Sequence, residues 1–324
     1  MLLGKNLKRQ MIMMAMMIMT TIIMVMIVMM IGVVIIGAAT YVVATKIVAV
    51  YILTQLSALA IEPTATEMNG ICKLCLKEEK LIKRSHLFPN FMYKGIADSK
   101  NRMFEISSSE PFRKKTVQSA AYAEYILCAE CDNNILSKLE RYANNNLYSK
   151  SYRTDNDNFE QATNIHGIKA IRCKNLVYSQ FKLFLQSLLW RASVSEHDLF
   201  SNFKLTAEQE EELRLSIYNS TPLEEDDYAC LILTHQNDEE PQTDLVFINA
   251  TQSPKVSFFI NQFVYLFHTD KSAVDEAVRE ITLTRKNEMG IIKLPDGEWT
   301  NLRASILNGV ADLAKRNLKN NSRQ

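Results

Sequence analysis

Two cysteine doublets set the chemistry that this sequence can support. Cys72 and Cys75 make one C-x2-C in "ICKLC", and Cys128 and Cys131 make a second in "ILCAEC". Each doublet can close a tight turn whose two thiolates face one ion. Two such turns complete a tetrahedral sulfur site, which suits zinc. The pairs are separated by 52 residues, more than in a simple zinc ribbon. The competing reading is two unrelated pairs of buried thiols. Cys173 and Cys230 stand alone, and tight doublets with two unpaired extras argue for metal in a reducing compartment rather than a disulfide framework. Between the doublets lies His86, in "KRSHLFPN", one of five histidines in the chain.

The elements that must position these residues can be read from pattern. "KLIKRSHLFPN" is short, apolar on alternate positions and broken by Pro89, as a strand would be. "DSKNRMFEISSSEPFRKK" (98–115) is polar and turn-rich and reads as a surface loop. "AEYILCAEC" leads from a short strand into the second cysteine turn. "DNNILSKLERYANNNLY" predicts a helix with Asp132 as its N-cap and an apolar stripe of Leu136, Leu139 and Leu147. Strand, loop, strand, helix, pinned by a cysteine site, is the layout of a ββα-metal finger.

On "ICKLC…SHLFP…ILCAEC…LSKLERY", residues 71–148, the chain resembles the zinc-pinned branch of the HNH endonuclease superfamily. It is similar to bacterial proteins with C-x2-C, Ser-His-x-x-Pro, and a second C-x2-C followed by an acidic helix. The run "FKLFLQSLLWRASVS" (181–195) also resembles the next helix in those proteins. The resemblance implies that His86 is the general base, activating water against a phosphodiester while one Mg²⁺ or Mn²⁺ stabilises the transition state. An imidazole with an unperturbed pKa of about 6.5 is mostly neutral at cell pH and suits that task. The plainer reading of His86 is a residue packed beside the cysteine site.

The chain departs from the family pattern at two points. Ala123 stands where the usual central asparagine is expected, and Asp132 stands where a histidine usually comes after the second doublet. A carboxylate can ligate Mg²⁺ or Mn²⁺, so Asp132 and Glu140 are the candidate ligands of the catalytic ion. Eight residues apart on a helix, they need not share one ion. Lys83, Arg84, Arg113, Lys114 and Lys115 are the candidate phosphate contacts. Phe88, Phe91 and Tyr93 could stack on bases, or simply fill a core.

Charge is uneven along the chain. Residues 68–193 hold 20 Lys and Arg against 12 Asp and Glu, and residues 194–324 hold 13 against 22. A basic first half and an acidic second half suggest two surfaces with different partners.

Residues 11–61 contain no Asp or Glu, and Lys46 is their one charge. That length suffices for two membrane spans of about 20 residues each. Lys5, Lys8 and Arg9 before it, and Lys73, Lys77, Lys80, Lys83 and Arg84 after it, place both flanks on the inner side. The membrane reading is therefore a hairpin turning near residues 32–40. The other reading is an upstream in-frame extension: ten of the fifteen methionines fall in 11–30, and Met68 opens "MNGICKLC" as a plausible natural start. Both readings put the chain beyond Met68 in the cytoplasm, in the first case anchored to the inner face of the membrane.

In the second half, "KNLVYSQFKLFLQSLLWRAS" predicts a buried helix with Lys182 and Arg191 at its margins. Thr206 and Gln209 form a capping box for a helix to about Tyr218. "ACLILTH", "DLVFINA", "VSFFI" and "FVYLFH" read as strands, followed by helices near 271–281 and 300–318. The predicted architecture is α+β: a hydrophobic segment 1–67, a zinc-containing ββα-metal finger 68–150, a helical connector 151–222 and a C-terminal α+β domain 223–324 that binds or regulates. The expected function is metal-dependent endonucleolytic cleavage of nucleic acid, DNA in the first instance, with structural zinc and catalytic Mg²⁺ or Mn²⁺. The alternatives are a non-catalytic zinc-stapled module binding nucleic acid or protein, and a membrane-anchored interaction protein.

Overall fold

The computed structural model describes residues 68–321, without 101, 107–113, 119–120, 150–151, 165–166, 201–202, 238–245 and 253. The Met-rich stretch 11–61 lies outside them, and so does the membrane reading. Among the described residues no helix is long and apolar enough to cross a membrane.

The first elements are short strands broken by turns. β1 (Met68–Ile71) pairs antiparallel with β2 (Glu78–Leu81), and the first cysteine doublet forms the turn between them. β3 (Ser85–His86) comes directly after. The polar stretch read as a surface loop carries a hairpin of its own, β4 (Met103–Ile106) and β5 (Lys114–Val117). β6 (Tyr122–Ala123) then pairs antiparallel with β3 across this insertion.

The helix after the second doublet spans 131–148: α1 (Ser137–Ala143) is flanked by wider π-type turns at Cys131–Leu136 and Asn144–Tyr148. Leu136, Leu139 and Leu147 are buried, as the stripe predicts. Asp132 does not cap this helix. Glu130 holds the N-cap position without a side-chain bond, and Asp132 lies in the first turn.

Residues 151–222 are not a purely helical connector. They open with a hairpin, β7 (Phe159–Thr163) and β8 (Lys169–Cys173). α2 (Tyr178–Val194) comes next and is buried on every face, since the apolar residues of "FKLFLQSLLW" are spread around the helix and its few polar ones form no continuous stripe for solvent. Lys182 and Arg191 are therefore not marginal: they are 3% and 1% exposed. α3 (Ala207–Tyr218) starts at the predicted Thr206–Gln209 capping box and packs Leu213 and Ile217 into the core, and Ser216 Oγ donates to Gln186 Oε1 of α2 at 2.9 Å.

The remaining strands are β9 (Cys230–His235), β10 (Val246–Gln252), β11 (Lys255–Ile260), β12 (Phe263–His268) and β13 (Met289–Leu294). They join β7 and β8 in one seven-stranded sheet of order β10-β11-β12-β9-β13-β8-β7, parallel only where β13 meets β9. The predicted helix near 271–281 is reduced to a single turn, α4 (Glu276–Arg279), while α5 (Asp296–Asn321) is long.

Successive residues of β11 face opposite sides of the sheet. Phe258 meets Phe88 and Phe203 on one side, at ring separations of 5.4 and 5.9 Å. Phe259 meets Trp299 of α5 on the other, at 5.0 Å. One buried apolar cluster runs from Cys72 through α2 to Ile291, and the described residues from Met68 onward fall within one compact unit. This continuity follows from α2, which is buried around its circumference and so requires cover from both halves of the chain.

Candidate metal centre and the residues around His86

The first cysteine turn is closed by backbone bonds. Cys72 N donates to Lys77 O at 2.9 Å and Leu76 N to Cys72 O at 2.8 Å, with Leu76 in the left-handed region at φ 58°. The second turn is docked onto the first. Lys73 N donates to Ile126 O and Ile82 N to Leu127 O, each at 2.9 Å, and Cys128 N donates to the Cys72 sulfur at 3.3 Å. These bonds bring the ligand atoms of Cys72, Cys75, Cys128 and Cys131 within 4.8 Å of one another. A tetrahedral zinc with sulfur at about 2.3 Å needs sulfurs about 3.8 Å apart, so four thiolates here fit one such ion after a small contraction.

The sulfurs also compete for protons. Hydrogen bonding from Cys131 is the main cause that lowers the Cys72 thiol from 9.0 to about 4. The same bond, together with burial, raises Cys131, and burial raises Cys128. A divalent cation replaces these shared protons, so the donor set suits a thiolate-bound metal such as zinc. Cys173 and Cys230 are buried elsewhere. Burial pushes Cys173 up to about 12 and Cys230 higher still, which marks both as inert core thiols.

Ser85 and His86 leave the first doublet as the strand β3, and alternation turns them to opposite faces. Ser85 is fully buried and donates from Oγ to Asp132 Oδ1 at 2.6 Å. His86 is half-buried, and its backbone pairs with Tyr122. Among the described residues no protein hydrogen bond holds its imidazole, which leaves the ring able to turn toward a water. The His86 carbonyl accepts from Arg191 Nη1 at 2.9 Å, and the same nitrogen donates to Glu140 Oε1 at 2.6 Å. Arg191 is steadied in turn by Ser187, through Nε to its carbonyl and Nη2 to its hydroxyl.

The structure therefore ties both sequence-predicted acids to the Ser-His dipeptide, Asp132 directly and Glu140 through Arg191. It does not gather them into one ligand group. Among the described residues, the four cysteines are the one cluster of three or more His, Cys, Asp or Glu side chains spaced to hold an ion. Ala123 is buried and pairs with Ser85 across the β3–β6 ladder.

Of the basic residues, Lys83 and Arg84 are exposed, and the Arg84 guanidinium lies 4.6 Å over the Tyr122 ring, beside the strand that pairs with His86. Lys114 begins β5, Lys115 is exposed in the same strand, and Arg113 lies outside the described residues. Phe88 is a core residue at 0% exposure, whereas Phe91 and Tyr93 are half-buried.

Neither Ser85 nor Arg191 stands out from the sequence as a member of this site. The signal for Arg191 is nonetheless present: a guanidinium inside "LFLQSLLWRASV" must be buried, and a buried charge requires a partner. Comparison with protein-family models, with curated proteins and with solved structures finds no match to this chain.

Proposed function

We propose that this chain is a zinc-stapled, metal-dependent endonuclease of the ββα-metal (HNH) type, cleaving phosphodiester bonds in nucleic acid, DNA in the first instance. The observation that carries the reading is the fixing of the Ser85–His86 strand to the helix after the second cysteine doublet, by Ser85 to Asp132 and by Arg191 to Glu140. Strands β3 and β6 pair across the β4–β5 insertion and lead on to helix α1, an order compatible with a ββα finger, with the four cysteines beside them.

In this reading the His86 imidazole takes the proton of an attacking water. Asp132, held in one orientation by Ser85, offers an oxygen ligand of the kind that Mg²⁺ or Mn²⁺ prefers. That ion, when bound, supplies charge stabilisation to the phosphate and the leaving oxygen. Lys83, Arg84 and Lys115 neutralise phosphates and set register without reading sequence.

Two observations favour a second reading, a non-catalytic zinc-stapled module that binds nucleic acid or protein. Glu140 is committed to Arg191, and Ala123 cannot supply the polar group of the missing asparagine. Plasmid nicking by the full chain with Mg²⁺ or Mn²⁺, beside His86→Ala, decides between the two. The nuclease reading expects a loss of about 10²–10⁴-fold on substitution, with zinc retained. No cleavage by the unsubstituted chain, with salt-sensitive DNA binding, leaves the binding module. Full cleavage by zinc-replete His86→Ala removes His86 from the chemistry.

A further inference from the structure

Arg84, His86 and Tyr122 share the outward face of the two-stranded β3–β6 sheet. Burial alternates along the chain: Arg84 is exposed, Ser85 is fully buried and His86 is half-buried. His86 pairs directly with Tyr122, and Ser85 with Ala123. Partners in an antiparallel ladder project to the same side, with Cβ atoms about 4.5–5.5 Å apart. Ser85 and Ala123 therefore point into the core together, and His86 and Tyr122 point out together. Arg84 joins them, because its guanidinium lies 4.6 Å over the Tyr122 ring.

The way Arg84 is held sets it apart. The surface arginines Arg102, Arg172, Arg279 and Arg285 each spend donors on a carboxylate. Among the described residues no carboxylate pairs with Arg84, and a ring holds it instead. A ring attracts the cation through its quadrupole and leaves the fork of N–H donors for an anion. The cation is thus both placed and available, on the same face as His86.

We infer that Arg84 holds the scissile phosphate, as a further catalytic residue, and that Tyr122 positions it there. The inference rests on the reading of the chain as a nuclease with His86 as base. Two residues of chain span at most about 7 Å, so a phosphate attacked by a water on His86 presents a non-bridging oxygen to Arg84. As that water adds to phosphorus, its proton passes to the imidazole. The P–O bond to the leaving oxygen breaks, and the departing alkoxide takes a proton from solvent. Negative charge gathers on the non-bridging oxygens in between, and a planar fork of donors already in place meets it without reorganising. Lys83 and Lys115 serve the flanking phosphates.

The test is the nicking of supercoiled plasmid by the full chain with Mg²⁺ or Mn²⁺, with kcat and KM measured separately for each variant. Arg84→Ala is expected to lower kcat by about 10²-fold, the lower end of the range for losing one donor to developing charge, with KM nearly unchanged. Lys83→Ala, by contrast, raises KM and leaves kcat. Tyr122→Leu lowers kcat by about two- to fivefold, the worth of an exposed cation–π contact, and Tyr122→Phe keeps it, because the ring alone is needed. In the Arg84→Ala background Tyr122→Leu costs nothing further. Multiplied losses in the double variant would make Tyr122 a support of His86 rather than of Arg84, and overturn its positioning role. Zinc content equal to wild type in every variant shows that the fold is kept. Cleavage in which Arg84→Ala raises KM alone, as Lys83→Ala does, overturns the inference and keeps the nuclease. No cleavage by the unsubstituted chain sinks both.

Discussion

Arg191 and Glu140 form an ion pair of 2.6 Å in which the arginine is 1% and the carboxylate 24% exposed. They come from helices on either side of the β7–β8 hairpin, and through the carbonyl of His86 the pair also grips strand β3. Removing one member of a buried pair leaves an uncompensated charge, at a cost of about 3–5 kcal/mol. The partial exposure of Glu140 argues for the lower end. Glu140→Gln is therefore expected to lose about 3 kcal/mol in urea unfolding. A carboxylate used only for a catalytic ion would leave stability unchanged and shift the Mg²⁺ requirement instead.

The cysteine site predicts one zinc per chain by elemental analysis. Cys72→Ser and Cys128→Ser should lose the metal and lower the melting temperature together, because metal binding and local folding are coupled. Cys173→Ala and Cys230→Ala should keep full zinc content, since both thiols lie outside the cluster. A metal-free chain with an unchanged melting profile would refute the site.

Ser85→Ala removes the donor that fixes the Asp132 carboxylate. If Asp132 holds the catalytic ion, Ser85→Ala and Asp132→Asn should both raise the Mg²⁺ or Mn²⁺ concentration for half-maximal cleavage, Asp132→Asn by the larger factor. Equal metal dependence in all three proteins would reduce Asp132 to a structural acceptor for Ser85.

Lys182 supplies a pH signature. Burial lowers its pKa from 10.5 to about 8, although its Nζ donates to the carbonyls of Glu225 and Asp227. A folded-state pKa below the unfolded one means that the unfolded chain binds more protons between pH 8 and 10.5, so this group adds stability as pH rises through that window. The gain from pH 8 to 9 is about 1 kcal/mol. Above pH 9, Cys173 and Cys230, and above pH 10, Tyr148 and Tyr265, act in the opposite sense, since burial raises all four and their ionisation favours unfolding. Stability should thus rise to about pH 9 and then fall. Lys182→Met should abolish the rise in chemical unfolding curves measured at pH 8 and 9.

What the sequence reveals tracks how local each determinant is. A C-x2-C turn is set by residues three apart, as is the Thr206–Gln209 capping box, so both are legible. Strands β9, β11 and β12 are legible because they are apolar runs bounded by turn residues. β7 is not: of "FEQAT" only Phe159 is buried, and an edge strand with one anchored residue shows no alternation. β13 alternates, but "MGIIKL" carries a glycine at its second position that reads as a breaker. The ion pair of Arg191 with Glu140 depends on two helices meeting, and Lys182 is buried because a loop 43 residues later turns its carbonyls inward. Neither pattern exists at short range.

The position of β13 has a consequence for how the chain is made. It lies between β9 and β8, and it is the strand through which the pair β7–β8 joins the rest of the sheet. On the ribosome, residues 72–131 emerge early enough to capture a metal while most of the protein is unmade. A nascent chain that ends before Met289 holds two sheet fragments with open facing edges, a state prone to pair with other chains. Among the described strands β13 is the last to be synthesised, and it closes them, so a chain terminated before Met289 should aggregate rather than fold as a slightly shorter protein.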